Sequence, residues 1–296
     1  MKSKFSLVYL LLLFFTLLVL SGCGIKSVTK DQNKIGSEKE QSSSITQLSE
    51  PIEKKPITTQ PVRQETQVIF PENPKITAIP VLYYHSIAVE KGNELRIPPD
   101  QFESQMNYLH SNGYSTISMD QFYEFMNGTK RLPDKPILIT FDDGYQDNYS
   151  NAYPILKKYG FTATVFMVSN FVNGSGFMNS TELKELIANG WNIEGHTANH
   201  LDLSTLTGAS MSPEISEAKN KLEQITGKEV KYFAYPYGKY NDEIIKSLKL
   251  AGYKMAFSTE RGWAKDGRNI MLVNRVYCYT DMGMNEFVRR LQNPSY

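Results

Sequence analysis

The sequence predicts an α/β fold of parallel strands wrapped by helices, on three observations. Short apolar runs alternate with longer stretches of helical periodicity from about residue 76 to the C-terminus. Glycine follows several of the helical stretches and acts as a stop. Polar, ionisable or tight-turn residues sit immediately behind four of the apolar runs. Alternation of this kind sets strands side by side in parallel with helices outside, either as a barrel or as an open sheet. In both arrangements the reactive groups gather where strands end and loops begin.

The elements follow in order. Lys2 and Lys4 precede an apolar run from Phe5 to Leu20 that ends in Leu20-Ser21-Gly22-Cys23. A basic start, an apolar centre and small residues at the end describe a secretory signal over residues 1–22. The run is short for a membrane span, which needs about 20 apolar residues. Residues 23–75 are rich in Lys, Gln, Ser, Thr, Glu and Pro, with Phe70 as the single aromatic. Such a segment buries too little apolar surface to offset its ordering entropy and reads as a flexible linker. The remaining 76–296 form one domain.

Within that domain Ile79–Tyr84 is a buried strand. Pro99–Asn112 is a helix with Phe102, Met106 and Leu109 at helical spacing, stopped by Gly113. Met119–Asn127 is a helix capped by Ser118 or Asp120. Ile137–Phe141 is a strand behind Pro136, Tyr149–Tyr159 a helix stopped by Gly160, and Thr162–Val168 a strand. Thr181–Asn189 is a helix capped by Ser180, followed by a short strand at Trp191–Glu194. Pro213–Thr226 is a longer helix, Tyr232–Tyr235 a strand, and Asp242–Ala251 a helix ended by Gly252. Lys254–Ser258 and Leu272–Tyr277 are the last strands, and Asn285–Gln292 closes the chain as a helix.

Composition narrows the function. A net charge of +1 over 296 residues argues against a nucleic-acid partner. The two cysteines, Cys23 and Cys278, lie in unrelated contexts, and no Cys-rich zinc pattern exists. A metal site therefore has to come from histidine and carboxylate. His85, the Asp142-Asp143-Gly144 run, the His196/His200 pair and Pro236-Tyr237-Gly238 each follow a strand, so one parallel layer brings them to a single rim. Adjacent carboxylates repel, and a divalent cation relieves the repulsion. His196 and His200, four apart, reach one ion from a helical turn or a tight loop. One Asp oxygen and two imidazoles leave coordination positions open, which is a catalytic rather than a structural set. The other Asp is then free to accept a proton. Taken singly these motifs are weaker: HxxxH is often a polar turn, Asp-Asp-Gly usually a turn, and a lone histidine often a core residue. Three of the four histidines concentrate at strand ends, and His110 lies mid-helix on an exposed face.

Thr140-Phe141-Asp142-Asp143-Gly144-Tyr145 resembles the first motif of the polysaccharide deacetylases with a NodB-type domain, family four of the carbohydrate esterases. His196-Thr197-Ala198-Asn199-His200 is similar to their second motif, and Phe233-Ala234-Tyr235-Pro236-Tyr237-Gly238 matches the third in part. The resemblance spans Ile76 to the C-terminus and implies a deformed (β/α)7-type barrel. It implies that Asp143, His196 and His200 bind zinc or another divalent ion such as cobalt, nickel or manganese. It also implies that Asp142 is the general base and that the Tyr237 N–H holds the oxyanion. The family's third motif carries an Arg, which orients the base, where this chain has Ala234; Arg275 is the candidate substitute, and a structural ion pair is the other reading of it. The family's general-acid histidine lies late in the chain, but no histidine follows His200. Pro80–His85 resembles the circularly permuted branch that includes poly-N-acetylglucosamine deacetylases, where the early histidine takes that role, so His85 is expected to be the acid. Trp263 either lines the groove or packs in the core.

Leu20–Cys23 resembles the lipobox of bacterial lipoproteins, which implies lipidation of Cys23; an uncleaved anchor with an incidental cysteine is the alternative. Together these features describe an extracytoplasmic, lipid-anchored monomer at a bacterial membrane. Its expected activity removes N-acetyl groups from an N-acetylglucosamine polymer such as peptidoglycan, poly-N-acetylglucosamine or a chitin-like oligomer. The rivals are a non-catalytic glycan-binding lipoprotein on the same scaffold and a hydrolase of small amides.

Overall fold

A computed structural model describes residues 70–296. The expected signal peptide, the lipidation candidate Cys23 and the expected linker up to residue 69 lie outside the described residues. The elements run β1 (Ala78–Ile79), β2 (Val81–Tyr84), α1 (Pro99–Ser111), β3 (Ser115–Thr116), α2 (Met119–Met126) and β4 (Pro136–Asp143). They continue α3 (Tyr153–Lys158), β5 (Thr164–Met167), α4 (Ser180–Ala188), β6 (Asn192–Gly195), α5 (Gly208–Thr226) and β7 (Tyr232–Ala234). The last are α6 (Asp242–Leu250), β8 (Met255–Arg261), β9 (Ala264–Lys265), β10 (Val273–Tyr277) and α7 (Met284–Arg290).

Seven strands close a parallel barrel. β2, β4, β5, β6, β7, β8 and β10 follow one another around the ring, and β2 pairs with both β4 and β10 to shut it. Closure settles the choice between barrel and open sheet and leaves the ring without a free edge. β3 adds alongside the start of β4, with Ser115 opposite Pro136, and β1 pairs antiparallel with β9. These two-residue pieces carry too few side chains to show a period in the sequence.

Two apolar clusters follow from the two faces of the strands. Leu82, Ile139, Phe141, Val165, Phe233 and Val276 pack with the apolar faces of α1, α4, α5 and α6 outside the barrel. Val81, Leu138, Phe166, Ala234 and Phe257 alternate with them and fill the lumen. β4 is buried along its whole length, which is why its sequence is apolar on both faces. Phe122 and Phe125 of α2 join the lumen cluster, and Phe122 stacks on Phe257 at 5.9 Å. Because α2 leaves from β3, beside the first residue of β4, it plugs the end of the lumen opposite the rim.

Local signals set most helix ends. α2 starts on a reciprocal capping box between Ser118 and Gln121. For α4 the cap is Asn179 rather than Ser180, because the Asn179 side-chain Oδ1 accepts from Thr181 and Glu182 N–H while Glu182 reaches back. α5 begins at Gly208, five residues before the expected start at Pro213, with Thr207 and Ser210 capping it. Proline lacks one N–H, and the helix carries it in its second turn. The expected helix at Tyr149–Tyr159 is in part a π-helical turn, Asn148–Ala152, leading into α3. The end of the expected linker contacts the segment between α2 and β4: Glu72 pairs with Arg131 in an isolated antiparallel β-bridge, and Asn73 N–H donates to the Lys130 carbonyl at 2.7 Å.

Candidate active site

The rim at the C-terminal ends of the strands gathers the groups that the sequence places there. Asp143 is the last residue of β4, and His196 follows β6. Asp143 Oδ1 lies 3.4 Å from His196 Nε2 and 3.2 Å from His200 Nε2, and the three side chains can offer atoms all within 4.8 Å of one another. His196 Nδ1 sits 2.7 Å from the Ala234 carbonyl, an acceptor, so Nδ1 carries the hydrogen, and in its neutral, metal-binding form the ring presents the Nε2 lone pair to Asp143. Asp143 Oδ1 is buried and has no hydrogen-bond donor. A lone pair facing an unpartnered carboxylate oxygen is repulsive, and a cation between them removes the repulsion. The residues therefore fit a divalent ion.

Asp142 is treated differently. Along β4 it shares the lumen face with Leu138 and Thr140. Arg275 reaches it from β10, with Nη1 on Oδ1 at 2.7 Å and Nη2 on Oδ2 at 2.8 Å. The guanidinium is wholly buried. Its Nε donates to the Ser258 carbonyl at 2.9 Å, and its plane lies over the Tyr83 ring at 4.3 Å. Burial alone would push the Asp142 carboxyl up. The charge and hydrogen bonds of Arg275 outweigh burial and hold it below the ordinary carboxylate range. Ala234, the position that lacks the expected Arg, is a small buried lumen residue, and the long Arg275 side chain reaches the carboxylate from another strand.

The rim is strained. Of the five non-glycine residues with positive φ among the described residues, four are Asp143, Thr197, His200 and Tyr237. Each costs about 1–2 kcal/mol, so the fold sustains this geometry with support from elsewhere. Gly144 adds a φ of 88° where a Cβ would collide with the Met167 side chain. The His196–His200 segment is a tight loop, not a helical turn. The Thr197 hydroxyl oxygen accepts from His200 N–H at 2.9 Å. Glu214 of α5 holds the same loop: its carboxylate accepts from Asn199 N–H at 2.9 Å and Asn199 Nδ2 at 2.5 Å, and its carbonyl from Ala198 N–H at 2.9 Å. Nothing in the sequence marks Glu214, which reads as one more acid on a helix.

His85, directly after β2, is half-buried, and burial lowers its imidazole pKa against the pull of Asp142 and Asp143. Tyr237 is 61 % exposed, with its ring 4.8 Å from that of His200. Gly238 and Lys239 N–H bond back within the Tyr237 turn, and the Tyr237 N–H is not among those donors. Trp263 is not on this rim. Its Nε1 donates to the Arg290 carbonyl at 2.8 Å, and with Arg261, Arg268 and Tyr296 it lines a separate cleft of about 240 Å³. Cys278 is buried against the Val276 carbonyl, and burial pushes its thiol up to about 12. Among the described residues no helix is long and apolar enough to cross a membrane.

Comparison with known proteins agrees with this geometry. The polysaccharide deacetylase family pattern matches residues 129–256. A Bacillus subtilis chain assigned to the polysaccharide deacetylases is 34 % identical over 275 residues, covering 93 % of this chain and 96 % of that one. The poly-β-1,6-N-acetyl-D-glucosamine N-deacetylase of Staphylococcus aureus is 31 % identical over 214 residues, 68 % of this chain and 73 % of that one. The structure of the Streptococcus pyogenes deacetylase PplD in complex with acetate superposes with a TM-score of 0.69 at 27 % identity, covering 72 % of this chain and 98 % of that one. A closed seven-stranded parallel barrel, with its Asp, His and His cluster at the strand ends, thus coincides with full-length sequence kinship: the chain belongs to the polysaccharide deacetylase family.

Proposed function

We propose that this enzyme hydrolyses the N-acetyl groups of N-acetylglucosamine units in an extracellular polysaccharide, with a divalent cation held by Asp143, His196 and His200. One observation carries the reading: a buried, ionised Asp142, fixed by Arg275, stands next to an Asp143 oxygen that lacks any donor and faces two imidazoles. A bound divalent ion supplies Lewis acidity, polarising the acetyl carbonyl and acidifying water. Asp142 accepts the proton of the attacking water, and its two bonds to Arg275 keep it ionised and aimed. The Tyr237 N–H donates to the oxyanion that forms on the acetyl carbon. His85 passes a proton to the departing amine, so one water and one amide yield acetate and a free glucosamine unit. Zinc is the favoured ion, and the same donor set accepts cobalt, nickel or manganese.

Among the polymers, poly-β-1,6-N-acetylglucosamine is favoured over peptidoglycan and chitin-like chains by the Staphylococcus aureus relative. The exposed Tyr237 ring and the apolar Leu201 side chain suit a sugar face. The export signal and Cys23 support a lipid-anchored, extracytoplasmic enzyme. Acetate release from β-1,6- and β-1,4-linked N-acetylglucosamine oligomers and peptidoglycan, with and without chelator, tests the reading. Chelator-sensitive release is expected, fastest on the β-1,6 series. No release from any of the three would refute the activity.

A further inference from the structure

The reading of His85 as the acid leaves a question about what aims it. Its Nδ1 is buried and has no hydrogen-bond partner among the described residues, so no carboxylate steers the ring from behind. Its aromatic neighbours are Tyr83 and Tyr277, at centroid distances of 5.9 and 6.4 Å. Its main chain, in contrast, is tied down from one place. Asn148 Nδ2 donates to the His85 carbonyl at 2.7 Å. The Asp147 carboxylate accepts from the Ser86 hydroxyl at 2.6 Å and from the Ile87 N–H at 2.8 Å. Asn151 Nδ2 donates to the Ile87 carbonyl at 2.8 Å. All three clamping side chains lie on or directly before the π-helical turn Asn148–Ala152. Asp147 and Asn151, four apart, share a face, and the turn begins at Asn148, four residues after Gly144.

We infer that Asp147, with Asn148 and Asn151, forms a positioning clamp that fixes His85 relative to Asp142 by holding the His85–Ile87 backbone. The inference rests on the proposed acid role of His85. It gives the segment after the Asp-Asp-Gly run a function: one rigid piece of chain carries the base and the metal carboxylate at one end and sets the position of the acid at the other. A displacement near 1 Å at a reacting group costs on the order of 100-fold in rate, so losing the clamp is felt in the step that uses the acid.

The chemistry supplies the discriminating measurement. An amide needs a proton on its leaving amine, whereas a 4-nitrophenyl acetate leaves as a stable phenolate and does not. Full-length Asp147→Ala is expected to lose roughly 10- to 100-fold in acetate release from N-acetylglucosamine oligomers while 4-nitrophenyl acetate turnover changes less than about two-fold. Ser86→Ala, which deletes one of the same bonds, is expected to lower the amide-to-ester ratio in the same direction by less. His85→Ala lowers that ratio further, and adding Asp147→Ala to it produces no additional loss, because both act through one group. Equal loss of both activities in Asp147→Ala and Ser86→Ala overturns the clamp, as does an undiminished further loss in the double variant. An Asp147→Ala enzyme with wild-type amide turnover, alongside a defective His85→Ala, overturns the clamp alone. Unchanged amide turnover in His85→Ala overturns the acid role and the clamp with it.

Discussion

Replacing Arg275 with Met tests the electrostatic centre of the site. The guanidinium is wholly buried, and Asp142 is 3 % exposed, so water cannot take over the two bonds of 2.7 and 2.8 Å that the substitution removes. Breaking one side of a buried pair costs about 3–5 kcal/mol, because the remaining charge is left uncompensated. Because that cost falls largely on the ionised carboxylate, the Asp142 pKa rises when the guanidinium is removed. The sign follows from linkage. With Arg275 present the folded-state pKa is depressed, so Asp142 adds stability above its unfolded value, and that stability is lost as pH falls through the folded value. Without Arg275, burial dominates and the carboxyl is raised, so this contribution disappears. Urea unfolding at neutral pH is expected to show the destabilisation, and the acid limb of acetate release is expected to move to higher pH. Arg275→Lys, which keeps the charge and loses the fork, falls between. A Met variant within about 1 kcal/mol of wild type with an unmoved acid limb would refute the pairing as the source of the Asp142 charge.

Two further outcomes follow from neighbouring groups. Glu194 is buried in the lumen, and burial pushes its carboxyl up to about 8 against the two N–H groups of Lys231 and Tyr232 that donate to it. Its raised pKa means that stability falls as pH rises from near 4.5 through about 8; Glu194→Gln is expected to flatten that slope and gain a few kcal/mol at pH 9 in thermal unfolding, and an unchanged slope contradicts it. Glu214→Ala removes the carboxylate that holds Asn199 and with it the His200 loop; it is expected to weaken metal affinity by about 10- to 100-fold in a competition titration, and unchanged affinity contradicts the support role.

The parts of this site that are legible in the sequence share one property: they sit at or directly after the C-terminal end of a strand. His85, Asp142, Asp143 and His196 are announced by the apolar runs before them, because a parallel barrel delivers every strand end to the same rim. Arg275 is legible only as the answer to a vacancy. Ala234 on β7 leaves Asp142 to be reached from β10, and the closed lumen lets a long side chain from another strand reach the same carboxylate. What stays hidden depends on three-dimensional support. Glu214 lies on a helix as an unremarked acid, and its value comes from the loop that packs above it. The positive φ values at Asp143, Thr197, His200 and Tyr237 fall on residues that give no glycine-like warning. Closure of the barrel is likewise absent from periodicity, since the β2–β4 pairing joins strands whose patterns fit an open sheet equally well.

The metal content of the purified full-length chain tests the central claim most directly. One divalent ion per chain is expected in the wild type and in Asp142→Asn, with acetate release abolished in the latter. His200→Ala is expected to lose the ion, since it removes one of the three donors that meet at Asp143. A full complement of metal in His200→Ala, or acetate release that survives complete removal of the ion, would contradict the account.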